Sequence, residues 1–473
     1  MMKAEEAPVS ESPQSRSGAR PRFVGGGLPP RVPGLPVLGS ALALKRQGLL
    51  PLLRASQRAH GDIFRLRIGT KDNYVVANPE AAAHILQLNA KNYTKSRSYQ
   101  RLVIMLGKGM FTTEGEVWRR QRGTVQPFFQ RQVINDLAST MTRLIDIRMS
   151  QWQASLAKGQ DIDVKFECRA LNLDLISASI FGMDLTDEDS ETLGRATNAL
   201  SDFVERNRWK LLPIPSEVPT PRNIIARYNR WCVDRVADRV SSSERSPGNR
   251  GLIAMLLAAR DEQGELAFNA AEVRDQITTL LVAGYETTAA ALSWTMYHLA
   301  KHPEVTARIR TEVDRMVGPR VPVLGDLNKM PYLAMVLNES MRLYPPAWVL
   351  GRRSIEADAF GGYSIPADAP IGIYPYMIHR HPDFWSRPDE FNPENFTPDA
   401  VAARPKLAFL PFGAGKRICI GNHLAMLELQ LCLAMFVQRF EISVPAEYEA
   451  QPHPYITLMP PEGMPLRLRK RAG

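Results

Sequence analysis

The residues with the clearest chemical potential lie in Phe412–Gly421, FGAGKRICIG, where two glycines let the backbone turn tightly and Cys419 immediately precedes an apolar helical stretch. A cysteine at a helix start beside Lys416 and Arg417 sits in an electropositive place, which favours the thiolate, the form that binds metal or attacks as a nucleophile. Three roles compete: inert core thiol, nucleophile and metal ligand. A nucleophile wants a neighbouring base, and His423 could serve, but no third orienting group or oxyanion motif accompanies it. An inert thiol has no use for two glycines and two bases, so the pattern favours the ligand. Cys168, Cys232 and Cys432 read as core, and with no CxxC pair neither a disulfide framework nor a zinc site is indicated.

A second constellation is Ala283–Thr288, AGYETT, in the middle of a long apolar helical stretch. Gly weakens a helix, a buried carboxylate must be paired or protonated, and Thr diverts backbone hydrogen bonds, so three local rules break within one turn. Such violations gather at functional sites. A helix opened there would hold a small ligand, with Glu286 and Thr287 placed to pass protons. A kinked core helix is the plainer alternative. Third, Glu339 and Arg342 in NESMRLYPP fall three apart on one face of a helix that stops at Pro345. On a surface such a pair contributes only ~0.2–0.5 kcal/mol, so its weight comes from its order and company.

The elements that must position these groups can be read coarsely. Residues 1–29 are rich in Ser, Pro, Gly and Arg and are expected to form a flexible tail, with the fold beginning near Pro30. A short helix ending around Gly61 and two strand-like runs, DIFRLRI and NYVVA, come next. Helical periodicity dominates from Pro79 to about Leu343, with loops expected at 96–116, 212–221 and 241–250. Residues 345–415 turn to Pro, Gly, aromatics and short strands (WVLGRRSI, IGIYPY), before a last helix from about Gly421 to Phe440 and a strand-rich end. No long linker intervenes and no internal repeat appears, so 30–473 is expected to be one mainly α domain with small β-sheets.

Composition agrees with a globular protein: 44% of the 473 residues are apolar and 23% charged. The net charge of +10 is spread out, apart from the local patches WRRQR (Trp118–Arg122) and LRLRKR (Leu466–Arg471), and no nucleic-acid motif is present. The polar N-terminus lacks the apolar core of a signal peptide, and the apolar stretch Ile277–Ala300 carries Glu286 and threonines at its centre. A cytoplasmic protein without a membrane anchor is expected.

Taken together these residues resemble the cytochrome P450 family. FGAGKRICIG matches the heme-binding loop FxxGxRxCxG at every fixed position; Glu339-x-x-Arg342 resembles the family's core pair, AGYETT its oxygen-activation turn, and Trp118-x-x-x-Arg122 its heme-propionate contact. All occur in the expected order, from about residue 30 to the C-terminus. One departure is visible: Phe391–Phe396 reads FNPENF, with Asn395 where the family usually has Arg, which puts one corner of its core ion-pair network in doubt.

The resemblance implies heme b with Cys419 as axial thiolate, a ligand that pushes electron density toward O–O cleavage. It implies that Arg417, Trp118, Arg122 and Arg352 (with Arg353 as rival) meet the propionates, that Phe412 lies in the heme-binding loop, and that Thr287 and Glu286 handle dioxygen and its protons. Substrate contacts would come from Phe111, Ala283, Ala347, Trp348 and Val349, whose apolar character suits a lipophilic terpenoid, fatty acid or polyketide-like molecule of secondary metabolism. About fifty residues follow Cys419, with no flavin or iron–sulfur domain among them, so the two electrons are expected from an external ferredoxin or flavodoxin and its reductase, docked near Arg119, Arg120 and Lys416. A heme-thiolate isomerase or lyase, or a heme sensor, is the alternative; neither needs the Glu286–Thr287 pair.

Overall fold

The computed structural model describes residues 26–68, 71–181, 256–260 and 264–471, together with scattered positions between 188 and 238. The expected tail falls mostly outside these, as do the loops expected at 212–221 and 241–250. Ordered pairing starts slightly earlier than Pro30. Gly26 bridges Tyr363, and the carbonyl of Pro29 accepts from Arg65 Nε at 2.7 Å.

The first layer is a mixed sheet. Helix α1 (Leu49–His60) ends at Gly61, whose φ of 84° lets the chain reverse into β1 (Ile63–Ile68) and β2 (Lys71–Val76). The other strands are β3 (Tyr93–Lys95), β4 (Leu350–Ser354) and β7 (Pro370–Ile373), in the order β1-β2-β7-β4-β3; β5 (Asp358–Phe360) and β6 (Tyr363–Ile365) form a separate hairpin. In the antiparallel β3–β4 pair Lys95 lies opposite Arg352 and Thr94 opposite Arg353. Alternate residues of a strand face opposite sides, so Arg352 and Arg353 part company here.

The second layer is helical. Helix α2 (Ser98–Leu106) stands inside the stretch expected to be a loop, because the apolar run RLVIML packs its Leu102, Met105 and Leu106 into a core cluster despite the serines before it and Gly107 after. Helices α3 (Gly115–Val125), α4 (Ala138–Ala157) and α5 (Val164–Ile176) follow. Helix α6 (Ala270–Lys301) runs about 48 Å at the usual rise. Its start is fixed by a capping box, in which Asn269 Oδ1 accepts from Glu272 N and Glu272 Oε2 from Asn269 N. Helix α7 (Pro303–Met316) and helix α8 (Pro331–Leu343) each open on a proline, and α8 stops before Pro345. Helix α9 (Asn422–Arg439) is buried along most of its length.

The main core joins α4 to α9, with Trp294 of α6 stacked on Tyr344 at 3.7 Å between ring centres. Among the described residues no helix is long and apolar enough to cross a membrane; the apolar length of α6 is buried by its neighbours instead.

Candidate active site

Cys419 is held by the loop before α9. Gly413 and Gly415 both adopt φ near +71°, and a side chain at Gly415 would strike the carbonyl of Leu86, so the loop docks against the preceding layer only with glycine there. The backbone then closes: Cys419 N donates to Phe412 O at 2.9 Å and Ile418 N to Gly415 O at 3.1 Å. Burial pushes the Cys419 thiol up, while the backbone N–H of Gly421 and the charge of Arg122 pull the other way.

Cys419 opens onto a cavity of about 300 Å³ whose wall includes Ala283, Gly284 and Thr287 of α6. Of the other residues singled out in the sequence, Trp118, Arg122, Arg352, Phe412, Arg417, Phe111 and Ala347 also line it. Glu286 does not: it is 3% exposed, on the turn beside the wall. Trp348 and Val349 lie elsewhere. The Trp348 indole donates to Tyr455 O at 2.9 Å inside a different core cluster, against which Val349 also packs. Ala347 and Leu350 on either side of them line the cavity, while the side chains of Trp348 and Val349 are turned into the sheet-side core.

One edge of the cavity is cationic. Arg352 lines it, whereas Arg353, one residue on, pairs with Asp368 on the other face of β4. Arg417 stacks on Trp118 at 3.7 Å and bonds Glu114 at 2.8 Å. Lys95, which sequence reasoning missed, also lines this edge; its ammonium donates to backbone carbonyls of Met110 and Phe111 and lies over the rings of Tyr99 and Phe111. Burial, then the charges of Arg417 and Arg352 against a partial offset from Glu114, bring Lys95 down to about 7. Burial, with the charges of Arg352 and Arg122 set against the pairing with Glu114, likewise brings Arg417 down to about 10. Like charges directly opposite on paired strands, as Lys95 and Arg352 are, destabilise a sheet unless an anion lies between them. Carboxylates of a bound group at this edge would answer that need.

Glu428, also missed, lines the cavity from α9. Its Oε1 has no hydrogen-bond partner among the described residues, and burial pushes it up to about 8, so it keeps its proton at neutral pH.

Beneath the site the Glu339–Arg342 pair is fully buried, bidentate at 2.7 and 2.8 Å. Arg342 also donates to the carbonyls of His379, Pro388 and Glu390. Glu339 Oε1 accepts from Asn392 N at 2.7 Å and from Asn395 Nδ2 at 3.0 Å. Asn395 thus supplies by hydrogen bond what an arginine would supply by charge. Burial still raises Glu339.

Among the described residues no cluster of three or more His, Cys, Asp and Glu could chelate a metal ion. A porphyrin would bring the remaining ligands of a metal held by Cys419.

Comparison with known proteins points the same way. The family model described as Cytochrome P450 matches residues 29–466. The chain is 32% identical to cyclooctatin synthase of Streptomyces melanosporofaciens over 90% of its own length and 92% of that protein's. It is 30% identical to pentalenene oxygenase of Streptomyces avermitilis, over 95% and 98% of the two chains. Its fold superposes on the crystal structure of the cytochrome P450DA heme domain with a TM-score of 0.84 and 25% identity, covering 95% of this chain and 98% of the other.

Proposed function

The chain belongs to the cytochrome P450 family, and from that premise we propose that it oxidises a lipophilic, terpenoid-class molecule using dioxygen and two electrons from a separate protein. The family assignment makes it a heme-thiolate monooxygenase; the substrate class, the proton route and the electron donor are the further steps of this reading. The residues fit the cofactor: Cys419 faces the cavity from a glycine-built loop, and Lys95, Arg122, Arg352 and Arg417 form the cationic edge two propionates would occupy. Bound there, the heme supplies the iron at which dioxygen is reduced and an oxygen atom passed to substrate.

The observation that carries the reading is that Cys419 and Thr287 line one cavity. Thr287 Oγ1 donates to Ala283 O at 2.7 Å, a bond it can exchange for a ligand in the cavity beside it. Glu286, on the same turn but behind the wall, would hold the proton that Thr287 passes on. An isomerase or lyase needs no such pair. The predominantly apolar wall around Phe111, Ala283 and Ala347 suits a hydrocarbon skeleton. Several relatives are named for pentalenene, carotene or cyclooctat-9-en-7-ol, which favours a terpenoid over a fatty acid or polyketide.

For electrons we propose an acidic ferredoxin or flavodoxin. Lys416, Arg119 and Arg120 are all exposed, but among the described residues Arg119 pairs only with the exposed Glu116, whereas Arg120 is tied to Glu272 and the carbonyl of Ala267. The docking charge therefore rests on Lys416 and Arg119.

The deciding experiment is turnover with an electron supply under air and under nitrogen, on ligands chosen by spin-state shift from a panel of terpenoids, fatty acids and macrolides. Product formed only with both air and electrons, and Thr287→Ala that consumes electrons with reduced product, is the expected result. Product without electrons, or unchanged coupling in Thr287→Ala, would refute it.

A further inference from the structure

Helix α5 meets α6 along one face, with Cys168, Asn172 and Ile176 at successive turns. Cys168 hydrogen-bonds with Ser293, and Ile176 reaches Gly284, where a side-chain carbon would meet Ile176 Cδ1 at 2.8 Å. The glycine in AGYETT therefore lets α5 approach. The approach brings Asn172 into range: its Nδ2 donates to Gly284 O at 2.9 Å and to Tyr285 O at 2.6 Å.

Both partners are carbonyls, so the amide nitrogen must face them and the orientation of the group is not in question. With Thr287 Oγ1 on Ala283 O, three consecutive carbonyls of α6 each carry a donor from outside the helical ladder. Extra donors of this kind draw carbonyls outward and bend a helix locally. The other half of the amide is spent: Asn172 is 2% exposed and its Oδ1 has no partner among the described residues. Burying half an amide unsatisfied costs stability, which the two bonds its nitrogen makes must offset.

We propose that Asn172 is a positioning residue for oxygen activation: acting through the carbonyls of Gly284 and Tyr285, it fixes the turn that carries Glu286 and Thr287 and so sets how much reduced oxygen is lost as peroxide. This rests on the reading of that turn as the proton-delivering element. Asn172 itself does not line the cavity.

The test uses the heme-loaded enzyme with NADPH, a plant-type ferredoxin and its reductase, and β-ionone as probe, and measures hydrogen peroxide released per dioxygen consumed. Asn172→Leu keeps the approximate shape and removes both donors. It should raise the ratio of peroxide to dioxygen fully used roughly 2- to 10-fold, the span that losing a hydrogen bond of this kind corresponds to. Hydrogen exchange in the segment 284–289 should quicken in parallel. Cys168→Ala, which loosens the same helix contact one turn away, is the packing control and should leave the peroxide ratio at the parent value.

Combining Asn172→Leu with Thr287→Ala should give no more peroxide than Thr287→Ala alone, because both act on one turn. Parent-like coupling in Asn172→Leu while Thr287→Ala uncouples would overturn this proposal alone. An equal effect from Cys168→Ala, or effects of Asn172→Leu and Thr287→Ala that multiply independently, would do the same. Parent-like coupling in Thr287→Ala would overturn the reading of the turn, and this proposal with it.

Discussion

Replacing Lys95 with methionine removes one cation from the cavity edge while keeping most of the apolar stem. Surrounded by Arg417 and Arg352 and largely desolvated, Lys95 falls from the ordinary 10.5 to about 7. At ~1.4 kcal/mol per tenfold that gap is ~5 kcal/mol, the penalty the charged form carries without an anion. A charge-assisted hydrogen bond to a bound carboxylate typically contributes ~1.5–3 kcal/mol, so Lys95→Met should speed heme loss by about 10- to 150-fold. The assay is transfer of heme from the enzyme to excess apomyoglobin, followed by absorbance. Arg353→Met is the matched control: it is the next residue along from Arg352, but its guanidinium pairs with Asp368 away from the cavity. Heme loss from Lys95→Met at the parental rate, or equally fast loss from Arg353→Met, would refute the assignment of this edge.

The remaining predictions concern the frame around the site. Asn395→Ala deprives the buried Glu339 of a donor and should cost ~1–3 kcal/mol of stability, read as a lowered thermal midpoint of the heme-loaded enzyme; an unchanged midpoint would show the bond to be idle. Arg119→Glu should slow reduction by an acidic ferredoxin at low salt and much less at high salt, with melting unchanged because its partner Glu116 is exposed. Arg120→Glu should lower the melting temperature as well, since it opposes Glu272 at the start of α6. Asp62 and His381 form a pH-limited tie between the sheet side and the segment after β7. Desolvation opposes it, but hydrogen bonds led by His381 lower Asp62, and Asp62 raises His381, so the carboxylate adds stability above its unfolded value of 3.8 and the imidazolium below its unfolded value of 6.5. Asp62→Asn should therefore cost most between those values and progressively less as pH rises through the elevated His381 pKa; a loss that grows with pH would contradict the pairing.

Much of the site was legible because its backbone demands are severe. The φ of Gly413 and Gly415 favours glycine and the carbonyl of Leu86 leaves no room for a side chain at Gly415, while a carboxylate inside an apolar helix is conspicuous in any sequence. What stayed hidden depends on pairings distant in sequence. Lys95 is one lysine in a three-residue strand, and it becomes significant only opposite Arg352 in the β3–β4 register. Asn172 looks like an ordinary polar residue of a helix until Gly284 brings a second helix within reach. Strand alternation separates Arg352 from Arg353, which the string GRRS alone could not order. The resemblance makes Trp348 and Val349 substrate contacts along with Ala347, but the indole of Trp348 goes to Tyr455 and both side chains pack in the sheet-side core. The helix Ser98–Leu106 was obscured by serines and a glycine at its ends, signals that the packing of Leu102 and Met105 outweighs.

Reduction of the heme-loaded enzyme under carbon monoxide shows whether Cys419 carries the iron as a thiolate. The parent should give a strongly red-shifted Soret band, lost in a Cys419→His variant that still binds heme. A folded, heme-loaded parent whose carbon monoxide complex shows no such shift, or a variant that keeps it, would mean that the Cys419 thiolate is not the ligand.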